Sequence, residues 1–161
     1  MHHGEALTLY ETQVSPDWVD YNGHMNDAAF ALVFSRATDA LMDRVGLDAA
    51  ARKATGRTLF TLQVMLHYFK EATEGGSLCV SCHLLEHDEK RMRIWLDMRA
   101  GRAGPVLAAS EQLLLSIDNG AGAQAAPWRA ETLAALDALA KAQRGLAHPP
   151  LAGRGVNLRR E

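Results

Sequence analysis

A chain of 161 residues, with 48% hydrophobic and 22% charged side chains, is long enough for one domain with a real core and too short for two large ones. Its formal charge of -2 and pI near 6.4 exclude the basic footprint of a nucleic-acid-binding surface. No stretch approaches 18 apolar residues without charges and no apolar leader with a cleavage site opens the chain, so a cytoplasmic protein with no membrane association is expected.

In chain order, residues 7–14 form a short, moderately apolar strand that Ser15-Pro16 ends. The chain then enters a dense polar loop, Asp17-Trp18-Val19-Asp20-Tyr21-Asn22-Gly23-His24-Met25-Asn26-Asp27. Beyond it Phe30, Val33, Phe34, Ala37, Leu41 and Val45 recur at three- and four-residue spacing, which predicts a long helix over 28–45 with a buried stripe. Asn26 or Asp27 supplies its N-cap and Gly46 its left-handed stop. A second short helix is expected over 48–55, ending at Gly56.

The period then switches to two. Over 60–69 one strand face carries Phe60, Leu62, Val64, Leu66 and Tyr68, and the other Thr61, Gln63, Met65, His67 and Phe69. Three more strands are expected over 78–86, 91–99 and 106–118, joined by short antiparallel links. In the strand over 91–99, Met92, Ile94, Leu96 and Met98 mark a buried side opposite Arg91, Arg93, Asp97 and Arg99, with Trp95 read as a subunit contact. In the last, Leu107, Ala109, Leu113, Leu115 and Ile117 read as the apolar side, interrupted by Glu111, and Ser110, Gln112 and Ser116 as the polar one. Residues 119–126 read as a linker. A final helix starts at Pro127 with a stripe of Leu133, Leu136, Leu139 and Ala140. Residues 1–145 thus form one α+β domain, and 146–161 a tail without periodicity that drapes over a neighbouring subunit or stays unstructured.

The loop before the long helix carries the chemistry. Gly23 permits a tight bend or a close backbone approach. The free N–H groups of a helix start can polarise a carbonyl, and a carboxylate beside them can activate water or attack the carbonyl itself. Asp20 is the candidate; Asp17, after Ser15-Pro16, reads as a turn residue. His24 binds substrate, orients Asp20, shares proton transfer, or only stitches the loop. Asn22 and Asn26 can bond a ligand, although Asn26 fits a cap better. Thr61, Gln63 and His67 read as a polar wall, and Trp18 as a ligand contact or a packing residue. Cys79 and Cys82 have CxxC spacing, but positions three apart on a strand face opposite ways and no second pair accompanies them, so ordinary thiols are expected. Phosphate-loop, HExxH and GxSxG motifs are absent.

Asp20-Tyr21-Asn22-Gly23-His24-Met25-Asn26 before a long helix resembles the hot-dog thioesterases, in particular the 4-hydroxybenzoyl-CoA thioesterase-like branch and the betainyl-CoA thioesterase group. The similarity extends over most of the chain. It includes Phe34-Ser35-Arg36-Ala37-Thr38-Asp39-Ala40-Leu41-Met42-Asp43, Thr61-Leu62-Gln63-Val64-Met65-Leu66-His67-Tyr68, Asp88-Glu89-Lys90-Arg91 and Glu111-Gln112-Leu113-Leu114-Leu115. The resemblance implies a hot-dog fold, a long central helix wrapped by a curved antiparallel sheet, with active sites at a homodimer interface and often a dimer of dimers. It implies hydrolysis of a small or medium acyl-CoA, with Asp20 as base or nucleophile. The helix-start backbone from Gly23 to Met25 would polarise the thioester, and the partner's Thr61, Gln63 and His67 would line the pocket. An acid is often expected at Gln63; an amide can orient water but cannot take its proton, which leaves that step to Asp20. CoA is then part of the substrate, with Lys70, Lys90 and Arg91 as phosphate partners, and no separate cofactor or metal is expected. A trimethylammonium acyl group would require aromatic faces or an acid. A hot-dog hydratase or dehydratase, and a non-catalytic acyl-CoA-binding protein, are the competing readings.

Overall fold

The computed structural model of the chain describes residues 4–158. Strand β1 (Leu7–Gln13) leads through a single 3-10 turn (Pro16–Trp18) into helix α1 (Asp27–Arg44), followed by α2 (Ala49–Thr55). Strands β2 (Arg57–Tyr68), β3 (Ser77–His87), β4 (Arg91–Ala100) and β5 (Val106–Asp118) come next, then the two-residue β6 (Gln124–Ala125) and helix α3 (Ala130–Ala142). All pairings are antiparallel, in the order β1-β3-β4-β5-β2, with β6 added to β5. The expected linker over 119–126 thus contains a strand. Among the described residues no helix is long and apolar enough to cross a membrane.

Helix α1 forms where the spacing predicts. The Asn26 side chain accepts from Ala29 N at 2.9 Å as N-cap, and Gly46 stands at φ 78° beyond the last turn. Ala29, Phe30, Val33, Phe34, Ala37 and Leu41 are each buried to within 5% and pack on the inner face of the sheet, where Val80, Ile94, Leu96 and Met98 are also sequestered. This is the helix-in-sheet architecture that the hot-dog resemblance implies.

Over residues 110–114 the two faces of β5 are the reverse of the expected ones. Cross-strand partners share a face, and Ser110, Gln112 and Leu114 pair with Leu96, Ile94 and Met92 on the buried side. Ser110 and Gln112, expected on the polar side, therefore point at the helix. They are tolerated there because each polar atom is answered. Thr38 Oγ1 donates to Gln112 Oε1 at 2.9 Å, and Gln112 Nε2 donates to Ser110 Oγ at 3.2 Å.

Glu111, with Leu113, lies on the outer face, where it pairs with Arg93 at 3.2 Å and accepts from Gly153 N at 2.8 Å. Tail residues 151–157 accordingly lie along the outer side of their own sheet. Trp95, expected as a subunit contact, is already covered within one chain: it is 5% exposed, its ring is 5.5 Å from that of His67, and its Nε1 donates to Asp97.

Helix α3 keeps Leu136, Leu139 and Ala140 of its predicted stripe on the core and departs from it at Leu133. Leu136 is buried, but Leu133 is 38% exposed, and the inward residues beside Leu136 are Thr132 and Gln143. Gln143 occupies the place where β1 has run out as a partner for β3: its Nε2 donates to Cys82 O at 2.8 Å and its Oε1 accepts from Leu84 N at 2.9 Å. Gln143→Ala would leave two buried backbone groups unanswered, so urea unfolding should show a loss of about 2–4 kcal/mol. Cys79 and Cys82 are buried free thiols, and burial pushes the Cys82 thiol up to about 12.

Candidate functional site

The loop between the 3-10 turn and α1 is closed by its own side chains. Asp20 Oδ1 accepts from Asn22 N at 2.8 Å and His24 N at 3.2 Å. The backbone bonds Asp20 N to His24 O at 2.8 Å and Gly23 N to Asp20 O at 3.0 Å, with Gly23 at φ 75°. A side chain at Gly23 would meet open space, so the left-handed backbone, rather than crowding, is what calls for glycine there. One carboxylate oxygen thus builds the turn, while Oδ2 has no hydrogen-bond partner among the described residues. The residue is exposed, with one oxygen fixed and the other available.

The expected carbonyl-polarising amides are otherwise engaged. Gly23 N and His24 N serve Asp20, Met25 N donates to Ala72 O at 2.7 Å, and Asn26 N donates to Trp18 O at 2.9 Å. Ala28 N and Ala29 N are capped by the side chains of Asp27 and Asn26. Of this run, the N–H of Asp27 alone has no acceptor among the described residues. It is the first helical position, so it has no partner within the helix and carries the positive end of the helix dipole. In sequence Asp27 reads only as an alternative cap; the signal that singles it out is the Asn26 cap immediately before it.

His24 is held by its neighbours. Its backbone bridges Thr73, and its Nε2 lies 3.1 Å from Glu71 Oε2. It therefore positions Asp20 through its backbone N–H and not through its ring. Met25 is buried in the core at 6% exposure, and its contribution is the β-type bridge to Val19 that shapes the loop. Asn26 is the cap, and its Nδ2 donates to Trp18 O at 2.8 Å. Trp18 packs against the core edge with the Arg36 guanidinium 5.4 Å from its ring centroid, so one face already has a cation. Asn22 and Tyr21 are exposed, Tyr21 to 96%.

The row Thr61, Gln63, His67 does not survive folding. A bulge at Leu62 shifts the register between Thr61, opposite Leu114, and Gln63, opposite Leu113. One inserted residue moves everything before it to the other face. Thr61 consequently shares the helix side with Leu59, Val64 and Leu66, whereas Gln63 and His67 lie outside with Arg93 and the tail.

The proposed phosphate partners are likewise dispersed. Lys70 N bonds Leu107 O and Lys90 O accepts from Ser116 N, opposite ends of β5 separated by roughly 30 Å of strand. Arg91 is committed to Asp88 at 2.6 Å, and the Lys90 and Arg91 N–H groups together with that guanidinium hold the Asp88 carboxyl down to about 2.

Three hollows border β2, of which two are large. One of about 510 Å³ runs between α1 and β2, lined by Phe34, Ser35, Asp39 and Met42 from the helix and by Thr61 and Val64 from the strand. The other, about 640 Å³, lies outside, between Gln63, Arg93, Glu111 and the tail glycines Gly153 and Gly155. Asp20 lines neither. No group of His, Cys, Asp and Glu able to hold a metal occurs among the described residues.

Comparison with known proteins adds a second line. A family model described as thioesterase-like superfamily matches residues 14–136. A betainyl-CoA thioesterase of Pseudomonas aeruginosa is 47% identical over 96% of this chain and 96% of its own length. An L-carnitine dehydrogenase/betainyl-CoA thioesterase of Rhizobium meliloti is 35% identical over 96% of this chain, which corresponds to 31% of that longer protein. Among solved structures, one from Pseudomonas putida assigned as a thioesterase superposes with TM-score 0.83 at 40% identity, covering 96% of this chain and 98% of that one. A Staphylococcus aureus protein crystallised with CoA superposes with TM-score 0.87, covering 99% of each chain, and at 21% identity shows the fold alone.

Proposed function

The chain belongs to the thioesterase-like superfamily and is an acyl-CoA thioester hydrolase, and from that premise we propose that it hydrolyses betainyl-CoA to glycine betaine and CoA in a site built between two copies. The near-full-length similarity to a Pseudomonas aeruginosa enzyme of that name is the observation that carries the substrate. CoA enters as part of the substrate rather than as a resident cofactor.

In the proposed reaction the thioester carbonyl oxygen takes the Asp27 N–H, whose donor role strengthens as the oxygen becomes anionic. Asp20 Oδ2 either removes a proton from water that adds to the carbonyl or adds itself to give an anhydride that water then opens. In both routes the C–S bond breaks, the thiolate leaves with a proton, and the acid is released. Asn22 and His24 hold the carboxylate through their backbone N–H groups. Lys70, in the β2–β3 loop, stays as a candidate for a CoA phosphate.

The second copy is supported by β2, a twelve-residue strand with one free edge. Phe60, Leu62, Val64 and Tyr68 on it are 42–49% exposed, the kind of long apolar edge that calls for a partner. A two-fold pairing of β2 edges is self-complementary and reverses strand direction. Within one chain Tyr68 Oη reaches Asp27 O at 3.3 Å at one end of β2, while Leu59 and Thr61 lie beside Asp39 and Met42 at the other. The pairing therefore brings one copy's loop to the other copy's 510 Å³ hollow.

Free-thiol release from short-chain, aromatic, hydroxyacyl and betainyl CoA esters tests the substrate. The betainyl ester should have the highest kcat/KM of the four classes; an aromatic or short-chain ester turned over faster would replace it.

A further inference from the structure

Resting on the betainyl-CoA reading, we infer that Asp39 of one copy is the counter-charge for the cationic acyl head held at the Asp20 loop of the other copy, and so sets substrate specificity. Betainyl is a trimethylammonium acetyl group, with its positive charge two bonds from the carbonyl carbon. A site that selects it needs an anion or aromatic faces within a few ångströms of the reacting atom.

The hollow between α1 and β2 is the space available. Asp39 is the one charged residue on its lining, which otherwise consists of apolar side chains, hydroxyls and the Gln112 amide. Gln112, Thr38 and Ser110 satisfy one another. Asp39 takes part in no ion pair or side-chain hydrogen bond among the described residues, unlike Glu11, Glu71, Glu86, Asp88, Glu111 and Asp137, which are all paired. Arg36, one turn away on the same helix, is turned to the Trp18 ring. The lining is thus negative and without a neutralising partner, an arrangement that favours a cation over a neutral or anionic acyl group.

Asp39 cannot serve its own chain's loop. From Asp27 to Asp39 the helix rises roughly 18 Å, several times the reach of a betainyl group. The two-fold pairing of β2 edges removes that distance, because the Asp27 end of one chain then lies over the Thr61 end of the other. Sequence patterning alone conceals Asp39: it sits next to Thr38 and just outside the helix's apolar stripe, where a solvated acid is ordinary.

The test uses betainyl-CoA and its neutral isostere 3,3-dimethylbutyryl-CoA, in which carbon replaces nitrogen. Wild type should favour the cation. In Asp39→Asn the kcat/KM ratio of betainyl to neutral ester should fall about 10- to 100-fold, mainly through KM, and Asp39→Glu should restore part of it. An unchanged ratio in Asp39→Asn, with wild type preferring the cation, overturns the role of Asp39 alone. Wild type that cleaves the neutral ester and ignores betainyl-CoA overturns the substrate reading and the inference with it. Placement in trans is tested separately by mixing Asp20→Asn and Asp39→Asn chains through unfolding and refolding. Half of the resulting dimers should be mixed and have one intact site, giving about a quarter of the wild-type betainyl rate at substrate concentrations well below KM; no recovery above the separate variants under those conditions overturns action in trans.

Discussion

Asp20→Asn should lower kcat for thioester cleavage by about 10³-fold while leaving the loop intact. The amide oxygen can replace Oδ1 as acceptor for the Asn22 and His24 N–H groups, so the turn keeps its closure. What is lost is the other oxygen: an amide nitrogen neither accepts a proton from water nor attacks a carbonyl. Single-turnover thiol release, with circular dichroism and thermal melting as controls, separates chemistry from folding. Asp20→Ala, by contrast, should damage both, because it also removes the turn's acceptor. An Asn variant with wild-type kcat would exclude Asp20 from the reaction.

If two copies pair through their β2 edges as proposed, Leu62→Lys should leave the protein a monomer and reduce kcat/KM about 100-fold or more. Residue 62 lies near the middle of β2 and is 49% exposed. In a two-fold contact a residue near the axis meets its own copy, so one substitution places two ammonium groups together in an apolar seam. Light scattering should report a fall from twice to once the 17.5 kDa chain mass. Activity should fall with it, since neither chain alone brings Asp20 and Asp39 together. A monomer with full activity, or a variant that stays dimeric and active, would refute the shared site.

The parts legible in sequence are those set by local rules. The stripe of α1, its Asn26 cap, the Gly46 and Gly56 stops and the Asp20-to-Asn26 loop follow from side-chain spacing and backbone sterics. The illegible parts depend on contacts remote in sequence. Thr61 and Gln63 alternate on paper, and only pairing with β5 reveals the bulge that parts them. Ser110 and Gln112 look like a wet face until Thr38, 74 residues from Gln112, supplies the missing bond. Gln143, a polar residue at the end of the α3 stripe, is buried because β3 has two backbone groups to satisfy beyond the end of β1. In the site itself, the motif singles out Met25 and Asn26, but both hold the loop; Asp27 and Asp39 come into view only through what their neighbours leave undone.

The Thr38–Gln112 hydrogen bond has one further effect. A helix lying along a strand layer through apolar contacts alone can slide by a fraction of a turn with little loss, since hydrophobic attraction has no direction. A buried amide that must meet one hydroxyl removes that freedom, because even a single-residue slip of about 1.5 Å would break the bond. The pair acts as a detent that indexes α1 against β5. Asp27 and Asp39 ride on the same rigid rod, so their axial coordinates are set by a contact remote from both of them.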